Sequence, residues 1–289
     1  MKAFEKPATP AVGSAFHYRA ILKPGLYMLL PEANRVVSHL PGYAGVEFQV
    51  LANARLGAQF VQVEWRILPN GQTERPVVED CEHFLYVLEG ELNLTLGGKK
   101  NRLDKGGFAW LPPQTPLTFK NESDSPARGL WIRKRYQGAE GIKTPGVILA
   151  NERDISRLQV DTYLEQHLTP YEDPAFDMGI NLQTFDPGVL FSAAEAHVME
   201  HGLYMLAGKG VYWLDRDIHE VEKNDFIYMA PFCSQFYRSG GKEPSAYLLY
   251  KDVNRDDRDA LTAPAGKNPA HTDNPRRMGS IQDVNGEWT

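Results

Sequence analysis

Apolar residues in this chain recur mainly at alternate positions, in short runs. Leu92, Leu94 and Leu96 alternate with Glu91, Asn93 and Thr95, the period-two pattern of a strand with one buried face. Phe60–Ile67 and His83–Leu88 are further strand-like runs, and Gly97-Gly98 and Gly106-Gly107 punctuate them as turns. The second half repeats the scheme with Leu203–Leu206, Gly210–Leu214 and Asp225–Met229. The halves align without a gap at an offset of 118 residues, which superposes His83 on His201, Tyr86 on Tyr204, Gly90 on Gly208, Lys105 on Lys223, Phe108 on Phe226 and Pro113 on Pro231. Matching apolar positions alone arise by chance. Gly, Pro and His in the same register point to an internal duplication of a β-barrel domain. The expected architecture is all-β, two tandem barrels.

Between the repeats, about Asn151 to Asp173, the chain is more polar. Ile155, Leu158, Val160, Tyr163, Leu164 and Leu168 give a patchy helical spacing, which predicts a connector with a short helix. The expected division is 1–150 for the first barrel, 151–257 for the connector and second barrel, and 258–289 for an irregular tail that is polar and rich in Pro, Asn and Asp. The 289 residues are 42% hydrophobic and 24% charged, ordinary values for a globular protein. A net charge of −6 without a basic stripe argues against a nucleic-acid partner. No apolar run approaches the ~20 residues of a membrane span, and Met1 to Pro7 carries no apolar leader-like segment. Two cysteines, Cys81 and Cys233, are too few for a disulfide framework, so a cytoplasmic setting is expected, with no membrane partner.

One cluster stands out chemically. Glu195, His197 and His201 are separated by even steps, so an extended run would send all three side chains from one face. Gln235 follows on a later strand. Two nitrogens and two oxygens with open positions suit Mn²⁺ or Fe²⁺ better than structural Zn²⁺. At the four equivalent positions the first half has Val77, Glu79, His83 and Leu117. Val77 and Leu117 carry no donor atoms, so the first barrel is expected to hold no metal, and His83 to be structural or part of a non-metal pocket. Cys233, two residues before Gln235, is expected to be a passive buried thiol.

In the frame set by Gly208, Glu195 stands at the first His of a cupin signature, His197 at the second His, and His201 at its Glu. Ala230, Phe232 and Gln235 stand at the Pro, Gly and final His of the second motif. This permuted signature, with Tyr204, Gly208-x-Gly-Val-Tyr212, Tyr247-x-x-x-Lys251-Asp-x-Asn-Arg-Asp, and in the first half Arg19-Ala-Ile, Leu56-Gly-Ala-x-Phe60-Val and Phe84-Leu-Tyr-Val-x-x-Gly90, resembles the bicupin (S)-ureidoglycine aminohydrolases, also described as glyoxylate-induced proteins. The resemblance runs from about Arg19 to Asp256 and leaves the tail outside.

The resemblance implies two tandem cupin barrels with Mn²⁺ on Glu195, His197, His201 and Gln235. It implies substrate contacts from Tyr212, Tyr247 and Lys251, with Glu195 and Gln235 also facing the substrate. It implies hydrolytic release of ammonia from (S)-ureidoglycine to give (S)-ureidoglycolate, in allantoin and purine catabolism. Lys251 would pair with the substrate carboxylate, Tyr212 and Tyr247 would orient the ureido group, and Glu195 would move a proton, with a tyrosine as the other candidate. Alternation puts Tyr247, Leu249 and Lys251 on one face. The expected partners are a small-molecule substrate and further copies of the chain in a homo-oligomer. Two other functions fit the residues: a metal-dependent cupin dioxygenase using the Glu/His/His trio with Gln235 uncoordinated, and a non-catalytic small-molecule-binding cupin.

Overall fold

The structure, a computed structural model, describes residues 19–255. The expected irregular tail at 258–289 lies outside the described residues. The alternating runs form strands in three sheets. The first-half sheet runs in the order Ile148–Asn151, Gly107–Leu111, Cys81–Glu89, Ala127–Arg135, Phe60–Thr73, Leu117–Lys120, Glu91–Leu96 and Lys99–Asp104, with Tyr43–Ala52 also paired to Phe60–Thr73. The 14-residue strand Phe60–Thr73 reaches both sides of the barrel, pairing with Ala127–Arg135 at one end and through Gln72 with Lys120 at the other. It turns this corner where Gly71 packs on Gly45: a Cβ on Gly71 would lie 2.5 Å from the Gly45 carbonyl oxygen, so neither backbone tolerates a side chain there.

In the second half an eight-stranded sheet contains Ile21–Lys23, Tyr27–Leu30, Phe226–Met229, His201–Ala207, Ser245–Asp252, Met178–Phe185, Tyr163–His167 and Leu158–Val160 in that order. The three-stranded sheet Asp217–Glu222, Lys209–Leu214, Gln235–Gly240 completes this half. Each half encloses its own core. Trp65, Leu85, Leu92, Leu94, Leu117 and Trp131 fill the first, and Leu29, Phe185, Leu203, Tyr212, Tyr237, Tyr247 and Leu249 line the second. A third apolar cluster, with Phe60, Phe84, Trp110, Ile132, Ile180, Tyr228, Leu248 and Tyr250, lies between the barrels.

The barrels also exchange edge strands. Tyr27–Leu30, ahead of the first repeat, pairs with Phe226–Met229 of the second, and Ile148–Asn151, ahead of the second, pairs with Gly107–Leu111 of the first. The hairpin at 21–30 thus belongs to the second-half sheet, although the sequence division at 150 assigns it to the first half. The connector differs from its expected helix as well. Only the three-residue 3₁₀ turn Glu152–Asp154 is helical, while Leu158–Val160 and Tyr163–His167 form a hairpin. Period-two burial wins here because Tyr163 stacks on Phe185 at 4.8 Å and Glu165 turns inward, contacts that a free helix lacks. Among the described residues no helix is long and apolar enough to cross a membrane.

A charged group is buried in the inter-barrel core. Lys134, 4% exposed, bonds Asp177 Oδ2 and lies 3.8 Å from Glu82 Oε1, while Trp110 Nε1 donates to Glu82 Oε2 at 2.8 Å. Burial holds the Glu82 carboxyl well above the usual carboxylate range. Burial works to lower the Lys134 ammonium, yet Asp177 and Glu82 leave it raised.

Candidate functional site

The run that carries Glu195, His197 and His201 is not a strand. Glu195 makes an isolated bridge with Gln235: the Glu195 N–H donates to the Gln235 carbonyl at 2.9 Å, and the Gln235 N–H donates to the Glu195 carbonyl at 2.8 Å. The chain is then irregular until the strand that His201 opens. Phe232 N–H donates to the His197 carbonyl at 2.7 Å, which ties the loop to the turn before Gln235. Tertiary bonds, not strand alternation, therefore bring these side chains together.

Their polar atoms converge on His197 Nε2. His201 Nε2 lies 3.3 Å from it, the Gln235 amide nitrogen 3.1 Å and Glu195 Oε2 3.9 Å. Two donors bound to one divalent ion at about 2.1 Å stand about 3.0 Å apart when cis in an octahedron and about 3.4 Å apart in a tetrahedron. The His197–His201 and His197–Gln235 separations meet that spacing. Glu195 stands farther out, its side chain 48% exposed, and among the described residues no three His, Cys, Asp or Glu side chains close on one point. His197 draws in His201 and Gln235 most tightly, and Glu195 stands at the exposed edge of the cluster.

The protonation states fit a cation. Burial depresses both imidazoles, that of His201 well below the ordinary histidine value, with the neighbouring His197 and Lys251 adding to its shift. Glu195 opposes the shift of His197. His201 Nδ1 faces the Tyr250 carbonyl at 3.3 Å, which assigns its hydrogen there and leaves the Nε2 lone pair pointing at the cluster. Tyr212 donates to Gln235 Oε1 at 3.2 Å. Carboxamide oxygen and nitrogen are interchangeable by rotation, so the alternative orientation turns the oxygen to the cluster and the N–H to Tyr212. The residues therefore fit a divalent ion in donor type, charge state and spacing.

Lys251 pairs across the strands with His201 on one side and Gly179 on the other. Its stem lies over Gly179, where a Cβ would sit 3.0 Å from Lys251 Cγ, and its ammonium rests 3.9 Å from the centre of the Tyr171 ring. Burial lowers its pKa, with Glu165, Glu195 and Glu172 opposing. Tyr247 and Tyr212 are almost wholly buried, and burial keeps both phenols protonated well above the usual tyrosine range. Tyr247 donates to Gln183 Oε1, and Gln183 donates in turn to Glu165. Glu165 also accepts from His167 at 2.8 Å and from Tyr171 at 3.2 Å. Glu165, His167, Tyr171, Asn181 and Gln183 were not singled out from the sequence. Their signal was the inward alternation of 163, 165, 167 and of 179, 181, 183, hidden where the connector resembles a helix.

The first barrel repeats this frame without its donors. Val77 bridges Leu117 as Glu195 bridges Gln235. Arg133 pairs across from His83 as Lys251 does from His201, but it is bonded to Glu79 at 3.1 Å. His83 is fully buried and its Nδ1 accepts from Trp131 Nε1 at 3.2 Å. Burial and the Arg133 charge push its imidazole down to about 4. A native histidine at about 4 against 6.5 in the unfolded chain means that the unfolded state binds more protons between those values. Stability is then expected to fall as pH drops from 6.5 toward 4, by up to about 3 kcal/mol from this residue. His83→Phe should flatten that part of a melting-temperature-against-pH curve, and an unchanged slope would refute the assignment. Cys233 is buried, its thiol pushed up by burial to about 12, so it is no nucleophile at neutral pH.

A two-barrel fold whose second barrel alone gathers histidine, carboxylate and amide donors defines a bicupin protein. The cupin-domain family profile matches residues 63–133. The Escherichia coli (S)-ureidoglycine aminohydrolase is 32% identical over 242 residues, 82% of this chain and 92% of that one. The Arabidopsis thaliana enzyme of the same name is 29% identical, over 82% of this chain and 78% of its own. Among solved structures, a Pseudomonas aeruginosa protein described as glyoxylate-induced is 36% identical with a TM-score of 0.78, covering 86% of this chain and 94% of that one. Oxalate decarboxylase, 10% identical with a TM-score of 0.63, shares the fold. The chain belongs to the (S)-ureidoglycine aminohydrolase family.

Proposed function

We propose that this protein releases ammonia from (S)-ureidoglycine to give (S)-ureidoglycolate, with Mn²⁺ held by Glu195, His197, His201 and Gln235. The observation that carries this is the approach of His201 Nε2 and the Gln235 amide to within 3.3 Å of His197 Nε2, beside Lys251, in a chain of this family. Bound there, the ion would supply Lewis acidity and hold one face of the substrate's chiral carbon.

The chain's own residues do the rest. The Lys251 ammonium pairs with the substrate carboxylate, a charge-assisted contact strengthened by burial. Tyr212 and Tyr247, protonated, orient the ureido group as hydrogen-bond donors. The ureido nitrogen lone pair pushes toward the α-carbon as the C–N bond breaks, and the substrate's protonated α-amine (–NH3⁺) leaves as neutral ammonia with the electron pair of that bond. Water then adds its oxygen to the same carbon. Glu195, the most exposed of the four donors, accepts the proton of that water.

The test is ammonia release from freshly prepared (S)-ureidoglycine, with metal content measured on the same sample. Stoichiometric ammonia with one equivalent of manganese per chain is the expected result. Oxygen consumption without ammonia would instead identify an oxygenase.

A further inference from the structure

Among the described residues, Asn181 is an amide of the second barrel's wall that the fold leaves unused. It is fully buried, and neither its Oδ1 nor its Nδ2 has a hydrogen-bond partner. The other amides there are committed. Gln183 joins Tyr247 to Glu165, and Gln235 sits between Tyr212 and His197. The Tyr171 hydroxyl is close enough to Asn181 to feel its amide, but no bond of good geometry forms between them, and the hydroxyl's well-formed bonds go to Glu165 and His167, each at 3.2 Å. Buried polar groups are nearly always paired, so an amide with both ends free marks a place where something outside the chain supplies the partner.

Register says where that place is. Asn181 stands directly opposite Leu249, whose side chain is in the second-barrel core, and its neighbours along the strand, Gly179 and Gln183, stand opposite Lys251 and Tyr247. On its other side it pairs with His167, and Gln183 pairs with Glu165. Asn181 therefore lies between Lys251 and Tyr247, in the wall one strand away from His201.

A carboxamide offers one acceptor and two donors in a plane. Its complement is another H₂N–C=O group, which returns a donor to Oδ1 and an acceptor to Nδ2 as a pair of antiparallel hydrogen bonds. A urea terminus presents that edge; a carboxylate or an acetyl group presents only half of it. We propose that Asn181 is the specificity residue of the site, pairing its side-chain amide with the terminal carbamoyl group of the substrate. The assignment rests on the ureido-substrate reading above. Lys251 then takes the carboxylate end and Asn181 the carbamoyl end, and a compound lacking the terminal NH₂ leaves Oδ1 buried and unpaired.

Sites built to hydrogen-bond a polar group reject analogues without it far more strongly than apolar pockets reject a missing methylene. The experiment is titration calorimetry of the metal-loaded protein with N-carbamoylglycine and N-acetylglycine, which share a carboxylate and differ by NH₂ against CH₃. Wild type is expected to prefer the carbamoyl compound by at least about tenfold. Asn181→Leu, with unchanged metal content, is expected to bring the two within about threefold, chiefly by weakening the carbamoyl compound. Should leucine perturb the barrel, Asn181→Ala removes the Oδ1 acceptor without adding bulk, with the same expected loss of preference. In turnover, the substitution should raise KM more than it lowers kcat. A preference retained in folded Asn181→Leu, or absent from wild type, overturns the assignment. Binding is read without turnover, so either result leaves ammonia release by wild type as a separate test of the function.

Discussion

Replacing His201 by alanine is expected to empty the site of its ion and to lower kcat for ammonia release by at least about a thousandfold. His201 is the most deeply buried of the four candidate donors. Its Nδ1–H is spent on the Tyr250 carbonyl, so its Nε2 is free to bind only a cation or another donor. Alanine at this first position of the strand removes no ladder hydrogen bond, so the barrel should persist while metal content drops. Glu195→Gln makes the informative contrast. It keeps an oxygen donor but not a base, so the ion should stay while turnover is lost. Equal metal content in wild type and His201→Ala would remove His201 from the ligand set, and near-normal turnover in Glu195→Gln would remove Glu195 as the base. The control is His83→Ala, the equivalent residue of the first barrel, which should cost stability and leave kcat unchanged.

The second large effect lies in the inter-barrel core. Lys134→Met is expected to destabilise the fold by roughly 3–5 kcal/mol, because it strands Asp177 and Glu82 in a place without water. The loss comes from the uncompensated carboxylates and not from the pair's own strength. Adding Asp177→Asn and Glu82→Gln to Lys134→Met should therefore recover a good part of it. Urea titration of the three proteins checks this, and a single substitution costing under about 1 kcal/mol would show that the carboxyls are protonated and need no lysine. The sign of the pH dependence follows from the raised values. Glu82 contributes most at pH below the ordinary carboxylate range and loses that contribution as pH rises through its folded value. Lys134 contributes fully below the ordinary lysine value and loses its share only as pH climbs through its own raised one. Wild type is thus expected to soften toward alkaline pH, and Lys134→Met to soften earlier.

Much of the site was legible before any coordinates. The donor types, their absence from Val77 and Leu117, and the common face of Tyr247 and Leu249 follow from alternation and from the 118-residue offset. The offset proved structural: Val77–Leu117 and Glu195–Gln235 are the same bridge in the two halves, and Arg133 and Lys251 stand against His83 and His201 alike. The Glu195–His201 run does not form a strand. Even spacing suggested one face of a strand, but the chain there is irregular and is held by bonds to the turn around Phe232 and Gln235. The expected connector helix also failed, and with it went the inner wall of Glu165 and His167. Local spacing at 155–168 is ambiguous, and only the facing strand Met178–Phe185 selects period two.

Sequence alone determined that the chain is a duplicated all-β protein with one donor cluster, in its second half. Side-chain alternation and an in-register repeat are properties of the chain itself, and donor atoms are present or absent whatever the fold. Tertiary structure decided which atoms meet and which are left over. It exchanged Tyr27–Leu30 and Ile148–Asn151 between the barrels, buried Lys134 among carboxylates, and brought His201 and Gln235 within 3.3 Å of His197. It also left Asn181 without a partner. Those outcomes depend on long-range pairing and on which polar groups find one another in a space closed to water, and no local pattern encodes either.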